Sequence, residues 1–365
     1  MIEVSKYVHE YVTDEGELFG LRRAHPSDAE GIAECFKSVY GMDYLYPTVY
    51  DAHWLRRQVT KKGQYWYVAE KTKEKDIAGI GRVEIKGKNS AYFGKFLIKR
   101  DYQGKGVGGA MGTVGQLHAW SSIRKEMKDI MRMDNDVRAR NATSQRVAHQ
   151  AGTISYAFLP NYNNYGNKTK ANVSLGPFSS GKLEAVFLNF LPLKKLWQSR
   201  ENHIYLLEDP TIDGFYEIMQ KRCRKMRKDI LHHEVEDRPM ESLPRTAFKI
   251  TEDRYKACVK WEGYLPEKNL LQNIDEYGKW NCIEWLIPTT PEGLDAQQLA
   301  IKHGFVVVGY NPGSFNFGGL YDTVVLGAWP TGIDESQFEG IDIIKQNKPI
   351  YDLFRESMER RKSQQ

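Results

Sequence analysis

Between Phe93 and Trp120 the chain runs from an apolar strand, Phe93-Gly-Lys-Phe-Leu-Ile98, through Gln103-Gly-Lys-Gly-Val-Gly-Gly109 into a helix. Gly104, Gly106, Gly108 and Gly109 carry no Cβ. A backbone built from them can curl tightly and turn several N–H groups toward an anion at the positive end of the following helix. Val107, Met111, Val114 and Leu117 recur at three- and four-residue spacing, which supplies that helix with an apolar face. A pyrophosphate fits such a loop.

The spacing sets this loop apart from other phosphate loops. No Ser or Thr follows a Gly-Lys pair in the frame of a Walker loop. Gly104, Gly106 and Gly109 match a dinucleotide fingerprint, but no acidic ribose ligand follows on a second parallel strand. The segment instead resembles motif A of the GNAT acyltransferase superfamily, Gln/Arg-x-x-Gly-x-Gly/Ala, on Gln103, Gly106 and Gly108. That resemblance implies acetyl-CoA as cosubstrate. Its pyrophosphate would lie against Gln103, Gly104, Lys105, Gly106, Val107, Gly108 and Gly109, and its pantetheine arm along the free edge of Phe96, Leu97 and Ile98. It also implies a backbone N–H near Ile98 as the donor to the thioester carbonyl.

The order of elements agrees with that family. A first strand over Glu17–Arg23 precedes helices from Pro26-Ser27-Asp28 and over Asp51–Lys61. Strands follow over Tyr65–Lys71, Ile77–Lys86 and Ala91–Lys99, then the loop and its helix, a strand over Ile130–Met133 and a helix from Asn141 to Gly152. The family's motif B is matched by Asn141, Ser144, Val147 and Gly152, which adds Asn141 to the cofactor-binding set. Ala148 stands where many relatives carry a Tyr that protonates the departing thiolate, and Thr153 where they carry a Phe.

The same frame recurs at Gly293-Leu-Asp-Ala-Gln-Gln-Leu-Ala-Ile-Lys-His-Gly304, which shares Gln, Ala and Gly with the Asn141 segment. A strand over Cys282–Ile287 precedes it, and strands over Phe305–Tyr310 and Tyr321–Leu326 follow. No second Gln/Arg-x-x-Gly-x-Gly/Ala loop occurs. The expected architecture is therefore α+β: a GNAT fold with a central mixed, mostly antiparallel sheet flanked by helices, and a second, degenerate GNAT-like domain. Residues 1–195 form the acyltransferase domain, 196–240 a helical connector with a helix over Ile212–Leu231, and 241–365 the second domain, with Arg355–Gln365 a frayed polar tail.

Acyl transfer to an amine needs a group that takes a proton from the ammonium. Glu84, Asp134 and Asp136 are the candidate bases, with Tyr92 and His149 as fallbacks. The Asn- and Tyr-rich stretch Pro160–Gly181 reads as a binding loop for a polar acceptor. The expected function is transfer of an acetyl or short acyl group from acyl-CoA to a primary amine of a small polar molecule, the alternative being a CoA-binding scaffold without turnover.

The net charge of +5 is mild, and the run Lys221–Lys228 lacks interleaved aromatics, so nucleic acid is not the expected partner. His232-His233-Glu234 with Glu236 and Asp237 is not expected to hold a metal, because adjacent histidines cannot both face one ion on a helix. Four scattered cysteines and the polar segment Met1–Tyr11 suit reduced thiols in a cytoplasmic protein without a membrane segment.

Overall fold

A computed structural model describes residues 6–174, 176–178, 180–223, 230–232 and 248–364 of the chain. Among them, thirteen strands form one mixed sheet and two more a separate ribbon. The first half contributes β1 (His9–Val12), β2 (Leu18–Arg23), β3 (Gln64–Lys71), β4 (Asp76–Ile85), β5 (Ser90–Ile98), β6 (Arg132–Arg138), β7 (Ile154–Tyr165) and β8 (Lys182–Pro192). They lie in the order β1-β2-β3-β4-β5-β6-β8-β7. Helices α1 (Ala29–Tyr40) and α2 (Ala52–Thr60) cover one face. Ala29, Ile32, Ala33 and Phe36 are buried there against Trp66, Val68, Ile80 and Leu97. The opposite face is covered by α3 (Val107–Ala110), a π-helical turn over Met111–Gly115, and α4 (Gln116–Glu126). Helix α5 (Ala142–Gln150) connects β6 to β7.

Strand β5 pairs with β6 in parallel only over Ser90–Tyr92, opposite Arg132–Asp134. Strand β6 then stays antiparallel to β8 along its whole length, from Arg132 to Arg138. From Phe93 to Ile98 the β6-facing edge of β5 has no strand partner, and the sheet opens as a fork.

Beyond α6 (Lys194–Ser199), β9 (His203–Tyr205), α7 (Pro210–Arg222) and β10 (Ile230–His232), the chain forms β11 (Lys249–Asp253), β12 (Cys258–Glu262), α8 (Glu267–Glu276), β13 (Cys282–Pro288), α9 (Pro291–Lys302), β14 (Val306–Asn316) and β15 (Leu320–Ala328). Their order, β11-β12-β13-β15-β14, repeats β4-β5-β6-β8-β7 with the same parallel and antiparallel pairings. The repeat has local physical causes. Gly152 and Gly304 both end their helices at φ +86°, a left-handed turn that favours glycine. The N–H of Thr153 donates to Ala148 O as that of Phe305 donates to Ala300 O. The two sheets join where Ala157 meets Gly309, equivalent positions in this register, and a Cβ on Gly309 would lie 2.4 Å from that of Ala157.

The shared glutamines clasp the segment that follows the opposite hairpin. Gln297 accepts from Leu207 N at 2.9 Å and donates to Tyr205 O at 3.1 Å. Gln145 donates to Ala139 O and Asp342 O and accepts from Ile344 N and Asn347 Nδ2. Both side chains are buried.

Two expectations are corrected. Arg355–Gln365 is no frayed tail: through Gln364 it belongs to α10 (Lys348–Gln364), where Met358 packs on the core and the Arg355 guanidinium lies over the Phe338 ring. The connecting helix ends at Arg222, not Leu231, and β10 pairs in parallel with β9. Residues 224–228 of the basic run, and 233, 234, 236 and 237 of the histidine cluster, lie outside the described residues. Among the described residues no group of three or more His, Cys, Asp or Glu could hold a metal, and no helix is long and apolar enough to cross a membrane.

Replacing Gln145 by Leu leaves buried carbonyl and N–H groups without partners, each costing about 1–3 kcal/mol. Urea unfolding of the Gln145→Leu variant should show a loss in that range or larger; a loss below about 0.5 kcal/mol, the size of an ordinary surface substitution, would contradict the clasp.

Candidate active site

The loop between β5 and α3 presents backbone. Gly104 and Gly106 sit at φ +82° and +79°, so the chain reverses twice within three residues. The N–H groups of Gly104, Lys105, Gly106, Val107 and Gly108 have no hydrogen-bond partner among the described residues; the first bonds of the following turn start at Gly109 and Ala110, both to Gly106 O. A Cβ on Gly104 or Gly109 would meet nothing within 4 Å. This is an open cradle of donors at a helix start, which fits a pyrophosphate.

The side chains around it do other work. Gln103 Nε2 turns inward to Ile98 O at 2.9 Å and closes the turn. The Lys105 ammonium lies 2.7 Å from Glu17 and 3.0 Å from Glu15. Its charge is already matched, so the cradle draws its positive character from the backbone. Tyr11 Oη donates to Lys105 O at 3.1 Å and fills the space where a Cβ on Gly106 would stand. Val107 is buried and anchors the helix start. Asn141 caps α5 through Ser144 N at 2.9 Å. Leu97 and Ile98 belong to the cores on either face, while Phe96 packs on Phe93 and beneath Gly112.

Glu84, Tyr92 and Asp134 stand opposite one another across β4, β5 and β6, so their side chains share the face covered by α1 and α2, with Asp136 two residues along. Each carboxylate is occupied. Burial pushes the Glu84 carboxyl up, but Arg82 and Lys86 hold it below the ordinary carboxylate range. Asp134 is held by the buried Arg132 guanidinium at 2.5 Å, which also reaches Pro312 O and Asn311 Oδ1 of the second half. Asp136 accepts from Tyr92 Oη across the mouth of the fork. Burial, then the Asp136 charge, keeps the Tyr92 phenol protonated far above its ordinary range. Its ring lies over Gly94, where a Cβ would come within 2.5 Å. His149 is exposed on α5.

Sequence reasoning missed the wall opposite these groups. Tyr44 and Tyr46, in the segment between α1 and α2, lie over this face, and Tyr46 Oη donates to Asp253 Oδ2 of the second half at 2.5 Å. Tyr255 packs edge-on against Tyr46, and the Lys256 ammonium lies 4.2 Å from the Tyr162 ring. Glu284 is buried, and burial raises its carboxyl above the ordinary range. No local motif marks these residues, because chain segments far apart in sequence bring them together.

The Pro160–Gly181 stretch is largely built into the fold. Strand β7 continues to Tyr165. Asn161 is buried among Gly332, Asp334 and Gln337, Asn164 Nδ2 donates to Phe178 O at 2.6 Å, and Asn167 and Asn172 cap local turns. Most of these amide groups are used by the chain itself, although the buried Oδ1 atoms of Asn163 and Asn164 have no hydrogen-bond partner among the described residues. The remainder stitches the halves together, since Phe178 N donates to Arg254 O at 2.8 Å and Gly166 N to Asp43 O at 2.9 Å.

No family model matches the chain, and no curated protein matches it. Several solved structures resemble about half of it. A ribosomal-protein-S5-alanine acetyltransferase from Vibrio fischeri is 14% identical over 51% of this chain and 97% of its own, with a TM-score of 0.37. A Salmonella typhimurium protein described as an acetyltransferase, solved with its cofactor acetyl-CoA, is 16% identical over 48% and 94%, with a TM-score of 0.37. A variant spermidine N-acetyltransferase from Vibrio cholerae is 14% identical over 48% and 95%, with a TM-score of 0.38. These likenesses are loose, and the functional reading rests on the cradle, the fork and the face described above.

Lys168 fastens this wall: its ammonium donates to Leu45 O at 3.3 Å and to Asn164 O. Burial lowers its pKa from 10.5 to about 8, against the opposing pull of Asp253 and Asp43. Between those values the unfolded chain binds a proton that the fold does not, so this group makes stability rise with pH. Urea midpoints measured between pH 8 and pH 10.5 should climb less in Lys168→Met than in the unsubstituted protein; equal slopes would show that Lys168 is not held in this way.

Proposed function

We propose that this chain is an N-acyltransferase of the GNAT type, moving an acetyl or short acyl group from acyl-CoA to a primary amine of a small polar acceptor. The observation that carries the reading is the pairing of a five-donor glycine cradle with a strand edge left free from Phe93 to Ile98, directly upstream of it. A pyrophosphate held by Gly104–Gly108 would sit where a pantetheine arm can follow the open edge of β5, with its amides bonding as a strand would. The reacting end then lies beside Tyr92, Glu84, Asp134 and Asp136. Carboxylates and tyrosine rings on that face suit a cationic amine.

In this reading residues 1–195 are the catalytic unit, 196–240 the connector, and 241–365 a unit without its own cosubstrate site. Two observations support the last point. All five residues of β12 pair with β13, so the second half has no fork. Helix α8 follows Pro266 rather than a glycine loop. A CoA-binding scaffold without turnover is the second reading, favoured by the ion pairs that occupy Glu84 and Asp134 and by Ala148. A thiol-release assay with acetyl-CoA and a panel of amines, polyamines, amino acids and amino sugars separates the two.

At 100 times its dissociation constant, acetyl-CoA should add about 2.7 kcal/mol of stability. Gly109→Asp is the clean disruption, since a side chain there meets no atom within 4 Å and no positive φ is lost. It should abolish the thermal shift while leaving the unliganded melting temperature nearly unchanged. An undiminished shift would remove the cradle from the site. Calorimetric titration should give one acetyl-CoA per chain; a stoichiometry of two would show a second site where β12 and β13 leave no room.

A further inference from the structure

Strand β5 carries a bulge at the fork. Arg82 faces Gly94 and Ile80 faces Leu97, so Lys95 and Phe96 together oppose the single residue Gly81. Lys95 takes the extra position with φ +52°, a left-handed backbone that costs a residue other than glycine about 1–3 kcal/mol. Bulges of this kind re-aim a side chain. Phe96 packs on Phe93 toward the α3–α4 side, and the Lys95 ammonium is sent to the other face, 4.6 Å from the Tyr46 ring centre, 5.3 Å from Tyr44 and 6.0 Å from Phe36. Among the described residues it has no ion pair and no hydrogen bond.

We propose that Lys95 is the group that takes the proton from the incoming amine, placed by the bulge among Tyr44, Tyr46 and Phe36, with Asp253 of the second half fixing Tyr46. The inference rests on the acyl-transfer reading above. It supplies the base that Glu84, Asp134 and Asp136 are poorly placed to provide, since each already holds a partner. The charged and titratable groups around Lys95 come from every side: Arg82 and Glu84 on β4, Tyr92 on β5, Tyr44 and Tyr46 above, Asp253 at the end of β11 and Lys256 in the turn that follows it. Burial, followed by the charge of Arg82, lowers its pKa well below the ordinary lysine value, while Glu84 and Asp253 pull the other way.

The protons balance without a further reagent. The acceptor ammonium gives one proton to Lys95 Nζ, and its nitrogen lone pair forms a bond to the thioester carbonyl carbon as the C–S bond breaks. The sulfur leaves with the electron pair and takes the second nitrogen proton. Lys95 then releases its proton to water, leaving an amide and the free thiol. In this scheme the second half completes the site through Asp253, which holds Tyr46 of the first half, without binding cosubstrate itself.

Lys95→Arg is the decisive variant, because arginine keeps a long polar side chain among the tyrosine rings but is permanently protonated and cannot accept a proton. Lys95→Gln is its companion, and near-ultraviolet circular dichroism reports whether either alters packing. Both should retain the acetyl-CoA thermal shift while kcat falls by ~10² or more. The acid limb of the pH–rate profile, where rate rises as Lys95 loses its proton, should vanish in both. Turnover by Lys95→Arg within about threefold of the unsubstituted protein, or an unchanged acid limb, overturns the role of Lys95 and leaves the acyl-transfer reading intact. Absence of both the thermal shift and thiol release in the unsubstituted protein overturns the acyl-transfer reading itself, and this role with it.

Discussion

The parting of β5 from β6 after Tyr92 is the constraint on which the rest depends. Two parallel strands in one sheet normally satisfy each other's backbone, and a strand edge buried without partners is costly. Here β6 turns away to pair fully with β8, and six residues of β5 are left with one edge open. The same strand ends at a loop whose N–H groups are also unspent. An extended, amide-rich ligand ending in a pyrophosphate would satisfy both sets at once. The bulge at Lys95 and the tyrosines above it lie along that opening, so in the proposed reading the fork would both bind and orient.

The second half shows what the same topology does without a fork. Its β12 and β13 stay paired, Trp261 and Trp285 fill the core beside them, and no cradle follows. Its contribution is made at the surface it offers to the first half. Asp253 holds Tyr46, Arg132 reaches across to Asn311 and Pro312, and Gln145 and Gln297 each clasp the chain that follows the other hairpin. Exchange of these segments ties the two sheets into one, with a buried glutamine at the same place in both helices.

Much of the fold could be read from local pattern, because local pattern caused it. The spacing of Ala29, Ile32, Ala33 and Phe36, the glycines at 104, 106, 152 and 304, and the polar turns between β3, β4 and β5 each act through neighbours in sequence. The cradle was legible for the same reason. The face proposed for acyl transfer was not. Glu84, Asp134 and Asp136 are nameable from sequence as candidate bases, but that they share one face and are held by Arg82, Arg132 and Tyr92 becomes evident only with registry. Nothing in the sequence singles out Lys95, since a bulge depends on how β4 pairs beside it. Asp253 and Tyr46 are joined across more than half the chain. The polar composition after Arg355 suggested a loose tail, yet Met358 and the stems of its arginines pack on the core.

Backbone hydrogen exchange with and without acetyl-CoA tests the central claim most directly, since that claim concerns amide groups waiting for a ligand. Binding should slow exchange at residues 93–98 and at Gly104–Gly108, and leave β12, β13 and the start of α8 unchanged. No protection at the loop and the free edge of β5, or equal protection in the second half, would contradict the account.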